Sequence, residues 1–437
     1  MSNEILGLVG LAVLFVAIFI GFPIAFTLGA VGMGMGYFAL GPVVLDLTVI
    51  QAMSVMQDSV LASVPFFLFM GFMLEQSGLM ERMFTGVQQL LSGLRGSLYL
   101  AVLITATIFA AATGIVGSSV TLLGVMAAPS MTKSGYDIKM SAGAITAGGT
   151  LGILIPPSVM LIVMGPVVGV PSTHLFAAAI LPGLMLSGLF TAWCLVRCWI
   201  NPSLGPALPL AMRPKSLWPV IKDLAIGVIP VVVVVLSTLG VILAGIATPT
   251  DAGAVGCVAT FILTMVSGKM TFAKIRRSMM STLEISSMIL LLVVASTFFG
   301  SVFSRLGSAD YLASMLLSLS LPPMVMLIVI LALIFVLGWP LEWVPIVLIV
   351  VPIVLPLVQA ANIDLIWFST LVAVTLQTAW LSPPVALSAY FLKGVAPDWP
   401  LKDIYAGMVQ FMILQLIGVG LLLMFPALAT WLPKQNF

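Results

Sequence analysis

Long apolar stretches interrupted by glycine, serine and proline set the pattern of hydrophobic and polar positions along the chain. Residues 144–169 form one such stretch, broken by glycines at 148, 149 and 152 and by Pro-Pro-Ser at 156–158. A counterpart at 371–392 is broken by Ser-Pro-Pro at 382–384. A proline pair removes backbone donors and ends a helix, so a bilayer tolerates such a break where the freed groups line a cavity or hold an ion. The pattern therefore predicts two broken transmembrane helices that face a transport site.

Two further apolar segments, 98–131 and 324–358, are interrupted near their midpoints. Small residues cut the first at 117–119, and a Gly-Trp-Pro-Leu-Glu run cuts the second at 338–342. The second arm of the first segment has only about twelve residues before Pro129, which is too short to cross a hydrocarbon core of about 30 Å. We therefore predict two re-entrant helical hairpins with their tips at these interruptions.

The remaining segments predict ordinary membrane spans with few polar connections. Residues 5–40 are too long for one span and predict two, joined by a tight turn. Residues 46–58 predict a polar link, and 79–96 predict an amphipathic helix at the membrane interface. Residues 405–432 predict the last span, which is expected to belong to the scaffold against which the hairpin-bearing helices move.

The order of segments in the first half recurs in the second. GFPIAFTLGAVG at 21–32 and GIATPTDAGAVG at 245–256 match at five of twelve positions, and similar offsets relate the hairpin tips and the proline pairs. Five crossings per repeat would invert one repeat relative to the other. The predicted organisation is a first repeat over 1–200 with its broken helix at 140–169, a cytoplasmic linker over 201–222, and a second repeat over 223–437 with its broken helix at 364–392.

Composition restricts the class of protein. Of 437 residues, 61% are hydrophobic and 7% are charged, and the mean hydropathy is +1.26, which together indicate an all-α polytopic membrane protein. Cys194, Cys198 and Cys257 lie in apolar segments and are interpreted as small buried residues. The sequence contains no G-x-x-x-x-G-K-[ST] loop, catalytic triad or His/Cys metal cluster. We therefore expect no enzyme activity and no organic cofactor, and transport would draw on an ion gradient.

Charge orients the predicted spans. Of 16 lysines and arginines, only Arg305 and Lys434 fall on one face, and all others fall on the opposite face. By the positive-inside rule, the basic face is cytoplasmic and both termini are periplasmic.

The hairpin tips and helix breaks supply the candidate cation ligands. Unwound carbonyls and serine hydroxyls suit a hard cation such as Na+, whereas helix N-termini favour anions. No carboxylate falls in the first candidate site, which favours neutral oxygen ligands there over a proton relay. The alternative is that these small residues only permit close helix packing. The candidates are Ser118, Ser119, Gly149 and Gly152 in the first half and Gly338, Ala379 and Ser382 in the second.

The substrate is expected between the same elements, against Ser119, Pro157, Ser158, Glu342 and Pro384. Glu342 could be a cation ligand, a residue that orients other ligands, or a residue of a water-filled vestibule. Asp251, Glu284 and His174 begin spans and are interpreted as interfacial or capping residues.

Several stretches together resemble the large membrane subunit of tripartite ATP-independent periplasmic (TRAP) transporters. They are GSSVTLLGVMAAPSMTKSGYD, GGTLGILIPPS, GIATPTDAGAVG, GWPLEWVPIVLIVVPIVLPL and LSPPVAL. The resemblance implies a sodium-driven elevator in the bacterial inner membrane, carrying organic acids. Its partners would be a small four-helix membrane subunit and a soluble periplasmic substrate-binding protein. The chain departs from the family in having Glu342 where Asp is usual, and Ser382 where Thr is usual.

Taken together, the sequence predicts a secondary transporter subunit with about two Na+ sites that takes up a small organic acid anion. An ion-coupled antiporter or efflux permease with the same inverted hairpins is the first alternative. A membrane scaffold without transport is the second. Nucleic acid is not an expected partner, and the lipid bilayer is.

Overall fold

A computed structural model describes residues 2–207, 213–318, 321–339, 341–383 and 385–436, and its regular secondary structure is helical throughout these ranges. The helices of the first half are α1 Asn3–Ile20, α2 Ile24–Leu40, α3 Val43–Met56, α4 Ser63–Gln76, α5 Leu79–Leu90, α6 Ser97–Thr113, α7 Val116–Lys133, α8 Ile138–Thr150, α9 Val159–Val168 and α10 Ser172–Ile200. A short 3-10 turn, Leu151–Ile153, extends α8.

The second half of the chain is also built of helices. Its helices are α11 Leu217–Val235, α12 Val241–Leu243, α13 Pro249–Val266, α14 Phe272–Arg305, α15 Ser308–Leu317, α16 Pro323–Gly338, α17 Trp343–Pro345, α18 Val351–Ala360, α19 Leu365–Ala379, α20 Leu387–Val395, α21 Leu401–Met424 and α22 Ala427–Asn436. π-helical turns join α11 to α12 and α17 to α18. Within the described residues, seven helices are long and apolar enough to cross a membrane. The prediction of an all-α, multi-span chain is confirmed.

The predicted polar link at 46–58 is wrong, because most of it forms α3. Its polar side chains are satisfied without a loop. Thr48 donates to the Val44 carbonyl at 2.9 Å within the same turn. Gln51 donates to the Ser301 hydroxyl of α14 at 3.1 Å, which ties α3 to the longest helix of the described chain.

The length predicted for the second arm of the first hairpin is also wrong. α7 runs through Pro129 for 18 residues. A proline inside a helix removes one backbone donor and bends the helix, and membrane helices tolerate this when neighbours satisfy the freed groups. The hairpin turn lies at Gly114, whose φ of 63° is left-handed, and Ile115. Ser118 and Ser119 therefore occupy the first turns of α7 and not the tip itself.

The linker between the halves is shorter than predicted, because α11 begins at Leu217 and not after residue 222. Its first residues are fixed to the neighbouring helices. Gly96 donates from its amide to the Gly205 carbonyl at 2.8 Å, and the Asp137 amide donates to the Leu204 carbonyl at 3.0 Å. The Tyr99 hydroxyl also donates to Leu204, at 2.6 Å.

The helices group into two bodies. We assign α1–α5 and α11–α15 to the first body and α6–α10 and α16–α22 to the second, and α6 packs on α4 and α5 across this division. Packing partners are exchanged between the two halves of the chain. In the first body, α2 packs on α14 and α13 packs on α4; in the second, α8 packs on α21 and α19 packs on α10.

The contact between α8 and α21 is made by backbone meeting backbone. A Cβ atom at Gly407 would collide with the Lys139 carbonyl oxygen, and one at Gly143 would lie 2.8 Å from the Gly407 carbonyl oxygen. Small residues allow this approach, which gives membrane helices their packing energy.

Gly407→Ala should therefore destabilise the second body. Backbone atoms cannot move aside as a flexible side chain can. We therefore expect the free energy of unfolding to fall by about 1–3 kcal/mol. Gly420→Ala is the matched control on the same helix, since its Cβ would meet nothing within 4 Å. The apparent melting temperature in detergent should fall for Gly407→Ala and stay unchanged for Gly420→Ala. Equal melting temperatures would show that the close α8–α21 contact is incorrect.

Candidate functional site

A cavity of about 610 Å³, here named the central cavity, is where the interruptions of the chain meet. The interruptions are the first hairpin turn (114–115), the first helix break (154–158), the second hairpin turn (339–342) and the second helix break (380–386). Residue 340 of the second turn and residue 384 of the second break lie outside the described residues. The cavity residues at or beside the interruptions are Gly114, Ile115, Val116, Gly117, Ser118, Ile153, Val159, Glu342, Trp343, Val344 and Trp380.

The first hairpin turn lies directly against the first break. A Cβ at Gly114 would be 3.6 Å from the Pro157 carbonyl oxygen. A Cβ at Gly149 would collide with the Val120 Cγ2 atom and lie 3.1 Å from the Val120 amide nitrogen, so the start of α7 packs closely on the end of α8. The predicted grouping of Ser118 and Ser119 with Gly149 is therefore spatially consistent.

Gly152 and Ser158 complete the surroundings of the first break. Gly152 is buried in the 3-10 turn. The Ser158 hydroxyl is fully buried and donates to the Ile153 carbonyl, which the break deprives of its helical partner. Ser158 therefore has a structural function as well as its predicted contact with substrate.

The second hairpin turn meets the second broken helix in the same way. A Cβ at Gly338 would be 3.0 Å from the Ala379 Cβ. The Ser382 hydroxyl is buried, donates to the Thr378 carbonyl at 2.6 Å and lies 3.1 Å from the Met412 sulfur. Pro384, also predicted to contact substrate, lies outside the described residues.

Three helices begin at the central cavity. α7, α9 and α17 start at Val116, Val159 and Trp343, and each of these residues lines the cavity. The first amide groups of a helix lack intrahelical acceptors and carry partial positive charge. The cavity therefore combines helix N-termini suited to an anion with the oxygen-rich turns suited to a cation.

Charged side chains are few in the central cavity. Glu75, Glu284 and Glu342 line it together with Arg277. The expectation that no carboxylate is found near the first candidate site is wrong, because Glu75 of α4 lies beside Ser118. Glu75 ends an otherwise apolar helix, and a carboxylate at that position in a membrane protein is a signal that could have identified it.

The remaining acidic candidates differ in position. Glu342 is exposed to the cavity and precedes α17 without capping it through its side chain. Glu284 lines the central cavity and is not simply interfacial as interpreted. Asp251 lies in the first turn of α13, where it accepts from the hydroxyl of the N-cap residue Thr248 at 2.6 Å.

A second cavity of about 560 Å³, here named the distal cavity, lies at the other end of α14. Its polar lining includes Asp58, Ser296, Thr297 and Asp310, and none of the residues that line it belongs to the interruptions. Along α14, Ile289 lines the central cavity and Val293 lines the distal one. The candidate site therefore belongs to the central cavity and not to the distal cavity.

Known proteins resemble this chain along almost its full length. Residues 11–428 match the family described as the tripartite ATP-independent periplasmic transporter, DctM component. The C4-dicarboxylate TRAP transporter large permease protein DctM of Rhodobacter capsulatus is 28% identical over 431 residues, covering 95% of this chain and 96% of that protein. The sialic acid TRAP transporter large permease protein SiaM of Vibrio cholerae is 26% identical over 436 residues, covering 99% and 98%.

A further relative and a solved structure agree. The 2,3-diketo-L-gulonate TRAP transporter large permease protein YiaN of Escherichia coli is 27% identical over 398 residues, covering 89% of this chain and 90% of that protein. The YdaH transporter of Alcanivorax borkumensis has a TM-score of 0.64 at 15% identity and covers 90% of each chain, a likeness of fold alone. The chain therefore belongs to the family of large permease subunits of tripartite ATP-independent periplasmic transporters, multi-pass proteins of the bacterial inner membrane.

Proposed function

We propose that this permease carries out Na+-coupled uptake of a small organic acid anion. The observation that carries the proposal is the convergence of the hairpin turns and helix breaks on one cavity, where three helices also begin. Helix N-termini stabilise a carboxylate, and a bound cation nearby strengthens that attraction. Sodium and substrate would thereby favour each other's binding without a buried arginine in either broken helix.

The names of the relatives support an acidic substrate. C4-dicarboxylates, sialic acid and 2,3-diketo-L-gulonate, named for three of them, are all carboxylic acids. By family membership, the working transporter would also contain a small membrane subunit and a periplasmic substrate-binding protein that delivers the anion.

Each half of the chain would provide one sodium site. Ser118, Ser119, Gly149 and Gly152 surround the first turn and break. Gly338, Ala379 and Ser382 surround the second. The close approaches of Gly149 to Val120 and of Gly338 to Ala379 support this grouping, because they bring each turn next to its broken helix.

Internal duplication with inversion would explain why the two halves exchange packing partners. α2 and α13 contain the matching dodecapeptides, and each packs on a helix of the other half, α14 and α4. If the basic face is cytoplasmic, Arg277 places the mouth of the central cavity on that face, and this conformation is open to the cytoplasm.

Transport would move the second body against the first, which serves as the scaffold. The expectation that residues 405–432 belong to the scaffold needs correction, because α21 packs on α8, α10 and α19 and so travels with the broken helices. Helices α4, α13 and α14 are better scaffold candidates, since α13 and α14 both pack on α4.

The two sodium sites should be separable by single hydroxyl deletions. Ser118→Ala and Ser382→Ala should each raise the half-saturating sodium concentration of uptake roughly three- to tenfold, the effect of losing a ligand worth about 0.6–1.4 kcal/mol. The measurement is uptake by the reconstituted complex against sodium at constant ionic strength.

Ser267→Ala is the matched control for the hydroxyl deletions. Like Ser382, Ser267 donates to the carbonyl four residues earlier, but it lies on α13 away from the central cavity. Unchanged sodium activation in both Ser118→Ala and Ser382→Ala would refute the assignment of these residues.

Cross-linking the two bodies should stop transport while preserving sodium binding. Ser296 of α14 donates to the Leu348 carbonyl in the π-helical turn before α18, so cysteines at these positions can be joined by a short bifunctional reagent. We expect the joined protein to lose uptake because the second body can no longer move.

A cross-link inside the first body controls for the reagent. Thr250 donates to the Ser59 carbonyl, and both residues belong to that body. The Ser59–Thr250 pair should retain uptake after cross-linking. Full uptake by the joined Ser296–Leu348 pair would exclude a moving body and favour a fixed-site rocking mechanism.

A further inference from the structure

Two polar side chains from different bodies lie next to each other at the central cavity. Glu75 lies at the end of α4 in the first body, and Ser118 lies in the first turn of α7 in the second. Ser118 is the polar side chain next to the Glu75 carboxyl. Within the described chain, neither the Glu75 Oε1 atom nor the Ser118 Oγ atom has a hydrogen-bond partner, and both atoms are buried.

No neighbouring cation neutralises the Glu75 carboxylate. Arg277 attracts it from another part of the cavity wall but forms no ion pair with it; Lys139 and Asp403, at 3.7 Å, are the only ion pair among the residues described. Lys274, one turn before Arg277, donates to the Gln76 carbonyl at 2.9 Å and is occupied there. The site therefore presents two buried oxygen atoms, Glu75 Oε1 and Ser118 Oγ, that a ligand can use.

The donor set suits one kind of ligand. A buried carboxylate without an ion-pair partner is costly, and a bound cation lowers that cost. A carboxylate oxygen beside a hydroxyl oxygen is a hard ligand pair that suits an alkali metal ion, with cavity water completing the coordination. Glu284 and Glu342 line the same cavity and add to its negative potential.

We propose that Glu75 and Ser118 together bind a sodium ion between the two bodies in this conformation. The inference rests on the proposed sodium coupling and adds to it a site that shares Ser118 with the first sodium site. Because Glu75 belongs to the first body and Ser118 to the second, the site exists only while the first hairpin lies against α4.

This placement gives the site a function in the transport cycle. A ligand that binds one conformation only shifts the population toward it, so sodium at Glu75 stabilises the conformation in which the central cavity is open. The carboxylate also attracts sodium leaving the first site and repels the departing anion. Glu75 thereby promotes release on this side of the membrane.

The test measures sodium-dependent thermal stabilisation of the purified full-length chain, with choline replacing sodium at constant ionic strength. Glu75→Gln should raise the half-saturating sodium concentration at least fivefold, and Glu75→Asp should raise it less. Ser118→Ala should also raise the half-saturating sodium concentration. In the double variant Glu75→Gln/Ser118→Ala the increase should be smaller than the product of the two single increases, because both residues bind the same ion.

Glu284→Gln is the matched control, since it removes one negative charge from the same cavity at an exposed position. It should change the half-saturating concentration less than twofold. If Glu284→Gln and Glu75→Gln raised the half-saturating sodium concentration equally, Glu75 would act only through the negative potential of the cavity. That result would overturn the site.

Two further outcomes separate this inference from the proposed function. If sodium stabilises the wild-type chain and Glu75→Gln equally, the inference fails and the proposed function stands. The same holds if Glu75→Gln alters only the pH dependence of stability, because Glu75 would then bind a proton. If sodium does not stabilise the wild-type chain more than choline does, the proposed sodium coupling fails, and this site with it.

Discussion

The need to satisfy backbone groups freed inside an apolar protein governs the rest of this structure. Within a helix, backbone amides donate to backbone carbonyls. Each interruption leaves some of these groups without a hydrogen-bond partner, and lipid cannot supply one. Ser158 and Ser382 each donate to a carbonyl beside their helix break. Gly114 and Gly338 let the hairpin turns approach those breaks closely. The first residues of α7, α9 and α17 line the central cavity, where an anion can accept from helix N-terminal amides.

The arrangement of two bodies follows from this constraint. The broken helices are held to their neighbours by close backbone contacts such as Gly143 with Gly407, which the proposed movement of the second body as one unit requires. The first body provides long helices, above all α14, whose two ends line two different cavities. In the sodium site proposed above, Glu75 of the first body lies beside the first hairpin of the second body, so that a bound ion would join the two.

Sequence patterns identified the elements that have strong local causes. The proline pairs, the glycines of the turns and the long apolar spans predict the broken helices and hairpins, because these residues act on their own backbone. The turn at Gly114, the continuation of α7 through Pro129 and the helix α3 depend on neighbours that satisfy or exclude polar groups, which no single segment reveals. Glu75 was missed for the same reason, since α4 meets the first hairpin only through tertiary packing.

The central claim is that all the interruptions form one binding site, and site-specific thiol alkylation tests it most directly. In a chain without native cysteines, cysteines at Ile153 and Val344 would report the first break and the second hairpin turn, and one at Thr297 would report the distal cavity. Sodium with the transported anion should slow alkylation at Ile153 and Val344 alike, by at least threefold, and leave Thr297 unchanged. Protection at only one of the two central positions, or equal protection at Thr297, would contradict a single shared site.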